Sequence, residues 1–243
     1  MKKTRLKILS TKKLNQEAID KASVNDIEID ELPFITTEPI KDDELKNVLR
    51  GFLQQNITAV FTSKNAALAF DQIVNRELPW KIFCIGQATK KAATKIFGAD
   101  KIIGVADNAI DLSNVILQDD EIKKVHFFCG NQRRDELPNN LKAAGREVEE
   151  IIVYETVETP QKMGRKQYDG ILFFSPSAVK SYFSLNKLNE ELQVFAVGKT
   201  TADSILKHQE REIIIAEIPG QENLIDNVIA HFSTTKIIKN ADL

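Results

Sequence analysis

Short apolar runs rich in valine, isoleucine and phenylalanine recur along the chain, separated by segments with helical spacing. The runs are LKIL (6–9), IEIDEL (27–32), AVFT (59–62), IFCI (82–85), KIIGVA (101–106), VHFFC (125–129), VEEIIVY (148–154), GILFF (170–174), VFAV (194–197) and IIIAEI (213–218). Continuous apolar runs joined by helices predict parallel strands buried on both faces. Between them, Leu45, Val48, Leu49, Phe52 and Leu53 fall on one helical face, as do Leu224, Ile225, Val228, Ile229 and Phe232. A further helix is expected around Gln16 to Ala22. The predicted class is α/β with right-handed crossovers.

One strand–turn–helix pattern occurs twice. Ser63 and Ser175 are 112 positions apart, and so are Gly86 and Gly198. A single offset without a gap therefore joins FTSKNA to FFSPSA and FCIGQAT to FAVGKTT, which points to a duplication. The first copy is followed by an extra strand–helix–strand unit ending in VEEIIVY. The second lacks that unit, and the opening LKILS, helix and IEIDELPFITTE supply one of the same pattern. Two five-stranded, flavodoxin-like or Rossmann-like parallel-sheet domains follow. One is continuous, over 38–154. The other is discontinuous, 1–36 plus 160–243. A two-stranded linker is expected where the chain crosses, around 35–40 (ITTEPI) and 154–161 (YETVETPQ).

In a flavodoxin-like strand order, LKILS lies beside GILFFS and VHFFCG beside AVFTS. Ligands in such sheets sit beyond the carboxyl ends of the strands at the switch point. That rule selects the turns at Ser10–Lys12, Ser63–Ala66, Gly130–Arg133 and Ser175–Ala178, expected around one cleft. Ser63 and Ser175 suit helix N-caps, and Pro176 suits the first helical position. Gly86 and Gly198 would let the backbone come close after their strands. Unpaired amides at helix starts bind anions. The candidate set is Ser63, Lys64, Asn65 and Ala66; Gly86, Gln87, Ala88 and Thr89; Gly130, Asn131, Arg133 and Arg134; Ser175, Pro176, Ser177 and Ala178; and Gly198, Lys199, Thr200 and Thr201. Arg133 and Arg134, read as leading into a helix, could grip carboxylates as a fork. The bland reading of each corner is ordinary helix capping.

Composition narrows the function classes. A net charge of −2 gives no overall basic field for nucleic acid or anionic lipid. The basic opening MKKTRLKILS carries too short an apolar stretch for a signal peptide, and no run approaches the ~20 residues of a spanning helix. Cys84 and Cys129 read as packing residues, and their number suits a reducing cytoplasm. His126, His208 and His231 show no metal spacing. Neither a P-loop nor a dinucleotide fingerprint occurs, which disfavours a nucleotide-using enzyme.

The stretch FFCGNQRRDELPNNLKAAGREVEEIIVYET (127–156) completes the picture. A glycine turn, an arginine, Leu137-x-x-x-Leu141, Gly145, Val148 and then Val153–Tyr154 resemble the uroporphyrinogen-III synthase family. VFTSKNAA, IGQAT, FFSPSAV and VGKTTA stand in the matching order, so the likeness covers nearly the whole chain. It departs where the family often carries Arg-Gly and this chain has Cys129–Gly130, which leaves Arg133 or Arg134 to compensate. The resemblance implies a cyclising lyase of tetrapyrrole (haem) biosynthesis. Such enzymes close hydroxymethylbilane into uroporphyrinogen III, inverting the terminal pyrrole ring and releasing water, without cofactor or metal. It implies a polycarboxylate small molecule as the only partner and Tyr154 as a modest general acid. A cytoplasmic monomer meeting neither nucleic acid nor membrane is expected. The alternative is a non-catalytic two-domain clamp on a small polyanion.

Overall fold

The computed structural model of the chain describes residues 5–71, 73–74, 77–164 and 166–241, with the side chains of the last helix described through residue 233. Lys2 and Lys3 of the basic opening lie outside the described residues. In chain order the elements begin with β1 (Leu6–Ser10), α1 (Gln16–Val24), β2 (Ile27–Glu31), β3 (Ile35–Pro39), α2 (Asp43–Phe52), β4 (Thr58–Phe61) and α3 (Lys64–Leu68). Then follow β5 (Lys81–Ile85), α4 (Gln87–Phe97), β6 (Ile102–Ala106), α5 (Ala109–Leu117), β7 (Lys124–Gly130), α6 (Glu136–Ala143) and β8 (Glu147–Glu158). The chain ends with β9 (Gly170–Phe173), α7 (Pro176–Phe183), β10 (Gln193–Ala196), α8 (Lys199–Leu206), β11 (Ile214–Ile215) and α9 (Gln221–Ala241).

These elements divide into two units, Met1–Thr36 with Val157–Leu243, and Thr37–Thr156. The discontinuous unit holds a sheet of order β11-β10-β9-β1-β2, and the other sheet has order β3-β8-β7-β4-β5-β6. The pairs β1–β2, β1–β9, β9–β10, β4–β5, β4–β7, β5–β6 and β7–β8 are all parallel. β1 therefore lies beside β9, and β7 beside β4, as the flavodoxin-like order requires. β3 and β8 run antiparallel: the Ile40 amide donates to the Val153 carbonyl and the Thr159 amide to Phe34, so one number falls as the other rises. Both unit boundaries fall within this pair of strands.

The strands read as unbroken apolar runs because both faces are covered. In the continuous unit, Ala59 and Phe61 of β4 and Phe128 of β7 enter one core cluster with Leu49, Phe52 and Phe97. Their neighbours Val60, Val125, Phe127 and Cys129 enter the opposite cluster with Leu112, Ile116, Leu137 and Leu141. The other unit repeats the arrangement. Leu9, Ile171, Phe173 and Val194 face α7 and α8. Ile8, Leu172 and Phe195 face Ala18, Leu224 and Val228 of α1 and α9.

Three local expectations need correction. Val48 is 47% exposed, so the buried face of α2 is narrower than the spacing implies. IIIAEI forms only the two-residue β11, an edge with β10 as its single neighbour, and Ile218 beyond it is 68% exposed. β8 continues past Tyr154 to Glu158, whereas Arg133 and Arg134 lead into α6 as their sequence position suggests.

Candidate functional site

Within the continuous unit, the carboxyl ends of β4, β5, β6 and β7 surround a cavity of about 340 Å3, with Thr62, Ser63, Ile85, Asp107, Gly130, Arg134 and Tyr154 in its lining. Its shape depends on one register change. Cys129 pairs with Ile152 but Gly130 pairs with Tyr154, so β8 gains one residue on β7 at the strand end. Such a bulge re-aims the side chain that follows it. Tyr154 lies directly against the Gly130 backbone, where an added Cβ would meet its Cζ at 2.4 Å. A side chain at 130 would therefore oblige the tyrosine ring to swing aside.

The turn after β7 is tied to β8. The Asn131 amide donates to the Tyr154 carbonyl, and the Asn131 side chain accepts from the Thr156 amide at 2.9 Å. Arg133 is committed to protein partners: it pairs with Asp135 and with Glu150, and Lys142 joins Glu150 at 2.8 Å. The Asp135 carboxylate beside it, with Glu150, holds the guanidinium proton more firmly still. Among the described residues Arg134 has no such partner and stands exposed at the cavity. The carboxylate fork expected of two arginines is therefore divided. One arginine fastens the loop, and the other is free to meet a ligand.

The Ser63 corner joins this cavity. Its hydroxyl accepts from the Asn65 amide at 3.2 Å, and Asn65 Nδ2 donates to Thr37 Oγ1 at 3.2 Å. The five-residue α3 sums few peptide dipoles, so this corner offers local amides more than a helix field. Lys64 is exposed and Ala66 is buried in the core. At the next corner Gly86 has φ +76°, a conformation that favours glycine, and its amide donates to the Ala106 carbonyl at 2.8 Å. Ile85 reaches the cavity lining. Gln87 and Ala88 are exposed, and Thr89 is buried.

The matching corners of the discontinuous unit are built alike. Ser175 caps α7 by accepting from the Ala178 amide at 3.2 Å, with Pro176 in the first turn. Ser177 is half-buried, and Ala178 is buried. Gly198 precedes α8 with φ 176°, ordinary extended backbone, so the conformational demand seen at Gly86 is absent. Lys199 pairs with Asp203 at 3.0 Å, Thr200 is exposed, and Thr201 is buried. The turn after β1 is tied to β9 by Thr11, whose hydroxyl donates to the Leu172 carbonyl at 2.7 Å, while the Lys12 ammonium lies 4.6 Å from the centre of the Phe174 ring.

Several lining residues lie outside the sequence-predicted set, among them two polar ones after β6. Asp107 and Asn108 follow β6, and Asn108 caps α5 by accepting from the Asp111 amide at 2.9 Å. The segment VADNAIDL carries the same strand–cap–helix signature as the two serine corners, so the signal was present. The cysteines pack as expected: both are free and buried, with burial pushing the thiols up to about 12 for Cys84 and about 11 for Cys129. The histidines are packing groups. His126 is buried beside Phe52, His208 stacks on Phe183 at 4.7 Å, and His231 meets Phe195 at 5.9 Å.

Comparison with known proteins follows from this geometry. The uroporphyrinogen-III synthase of Schizosaccharomyces pombe is 21% identical over 221 residues, covering 82% of this chain and 85% of the relative. The uroporphyrinogen-III synthetase of Helicobacter pylori shares the fold, with a TM-score of 0.64, 16% identity, and coverage of 93% of this chain and 99% of the other. A mutant uroporphyrinogen III synthase of Thermus thermophilus also shares it, with a TM-score of 0.60, 14% identity, and coverage of 94% and 99%. The family model described as uroporphyrinogen-III synthase HemD matches residues 16–226, which take in the whole continuous unit and most of the other, and the chain belongs to that family.

Proposed function

We propose that this chain is a uroporphyrinogen-III synthase, a lyase of tetrapyrrole biosynthesis. It closes linear hydroxymethylbilane into uroporphyrinogen III with inversion of the terminal pyrrole and loss of water. The observation that carries this reading is the family match over residues 16–226. Each pyrrole of the substrate bears an acetate and a propionate, so the ligand is a polyanion. In the continuous unit, Arg134, the Ser63–Ala66 corner and the Gly130–Asn131 turn that Arg133 holds in place are proposed as carboxylate contacts, with Gly86–Thr89 beside them. In the discontinuous unit, Ser175–Ala178 and Gly198–Thr201 are proposed for the same task. Contacts of ~0.3–1 kcal/mol each near helix starts suit a ligand held at many points.

The free bilane also closes without a catalyst, to the unflipped isomer. The protein's contribution is therefore chiefly the conformation it imposes, catalysis by orientation. Tyr154 is proposed to donate a proton as the hydroxymethyl oxygen leaves as water. Its ring lies against Gly130, the residue is half-buried, and its hydroxyl has no hydrogen-bond partner among the described residues. We further read the protein as a cytoplasmic monomer meeting no nucleic acid. The net charge of −2 and two free cysteines support this reading, and no described helix is long and apolar enough to cross a membrane.

The test is isomer analysis. Freshly prepared hydroxymethylbilane given to the purified chain should yield ring-inverted uroporphyrinogen. Formation of the unflipped isomer alone, at the uncatalysed rate, would refute the proposal.

A further inference from the structure

The cavity of the continuous unit carries both signs of charge, with Asp107 and Glu136 lining it beside Arg133 and Arg134. Two of these four have structural reasons to be there. Arg133 holds the loop to Asp135 and Glu150. Glu136 occupies the first turn of α6, where a helix start favours an acid. Arg134 suits a polyanion. Asp107, just before the Asn108 cap of α5, shares that helix-start preference, but unlike Glu136 it lies outside its helix. It is exposed, it has no hydrogen bond or ion pair among the described residues, and the capping of α5 next to it is done by Asn108.

A carboxylate without a protein cation beside it, in a site for a polycarboxylate, opposes binding unless it faces a part of the ligand that is not anionic. A pyrrole offers such a part. Its acetate and propionate lie on one edge, and its N–H lies on the other. Resting on the synthase reading, we infer that Asp107 is a catalytic residue that accepts the pyrrole N–H of the reacting ring and faces the cation formed there. In that step the hydroxymethyl C–O bond breaks. The oxygen takes both bonding electrons, gains a proton from Tyr154 or from water, and leaves as water. The nitrogen lone pair enters the ring π system, giving an azafulvenium whose positive charge lies on the N–H nitrogen. A fixed carboxylate beside that nitrogen is attracted more strongly to the cation than to the neutral pyrrole, and so it lowers the barrier. Arg134 and Asp107 would then read opposite edges of one ring.

The test uses the full chain and fresh hydroxymethylbilane. Asp107→Asn keeps an acceptor and removes the charge. The expected result is a fall in kcat of about 10- to 100-fold, with KM unchanged or lower because a repulsion to the polyanion is gone. Asp107→Glu should recover part of the loss, and Arg134→Ala should instead raise KM. The thermal midpoint of Asp107→Asn should match the parent, since the side chain holds nothing in the fold. An unchanged kcat, or a loss carried wholly by KM or matched by a lowered midpoint, overturns the inference. Failure of the parent chain to produce the inverted isomer removes the synthase reading, and this inference falls with it.

Discussion

At the scale of single residues, the pair Gly130 and Tyr154 concentrates the site's demands. The phenol ring occupies the space a Cβ at 130 would need, 2.4 Å from Cζ. Gly130→Ala should therefore displace the ring and lower turnover much as Tyr154→Phe does. Because the half-buried ring can swing aside, denaturant unfolding should show a much smaller change than turnover does. Tyr154→Phe should slow turnover without abolishing it, because water can supply the proton. An unchanged single-turnover rate would remove Tyr154 from the chemistry. The thiols give a second check. With Cys84 pushed up to about 12 and Cys129 to about 11, both stay protonated near neutral pH. Alkylation of the folded chain should be slow at each and become rapid only on unfolding. The motif around Val153–Tyr154 was visible in the sequence. The register shift that aims the ring was not, because it arises from how two strands pair.

At the scale of elements, β7 connects core and site. Phe128 meets Phe52, Phe61, Phe70 and Trp80 at ring distances of 4.9 to 5.8 Å. Phe128→Ala should destabilise the continuous unit by about 3–5 kcal/mol, read as a lowered thermal midpoint. Two residues earlier on the strand, burial lowers the proton affinity of His126, against an opposing pull from Glu149. The unfolded chain takes up this proton near the ordinary value of 6.5, whereas the folded chain does so only at lower pH. Its contribution is therefore intact above 6.5 and is lost as pH falls through the folded value. Between about pH 7 and pH 5.5 the thermal midpoint should fall, and His126→Phe should flatten that slope. The serine caps were legible because Ser63 and Ser175 directly precede helix-forming runs. The short α3 and the two-residue β11 were not, because their extent is decided by neighbours. Arg133 shows the same limit: its sequence position suggests a ligand contact, and its partners Asp135 and Glu150 assign it to the loop.

At the scale of the molecule, the repeat with its offset of 112 positions appears as two sheets whose five corresponding strands have equivalent neighbours. In one unit the central pair is β1 with β9; in the other it is β7 with β4. The strands of the second unit thus follow one another in a rotated chain order, which the missing strand–helix–strand unit had already implied. What stayed unreadable was that β8 is unbroken, its twelve residues running from the sheet into the strand expected for the linker around 154–161. The continuous unit, expressed with the β3–β8 ladder intact, should unfold in one cooperative transition by circular dichroism. A fragment beginning at Val157 should not fold, because it lacks β1, which lies between β9 and β2.

The placement of β1 also sets a timetable during synthesis. Ser10 pairs with Leu172, so roughly 160 residues must be translated before that side of the strand is covered, on the order of 10 to 30 s at about 5–20 residues per second. The continuous lobe has time to close while the oily inner strand of its sibling waits on the ribosome. Nascent chains stalled before Gly170 should therefore be captured by holdase chaperones through their first ten residues, and release should follow once β9 emerges.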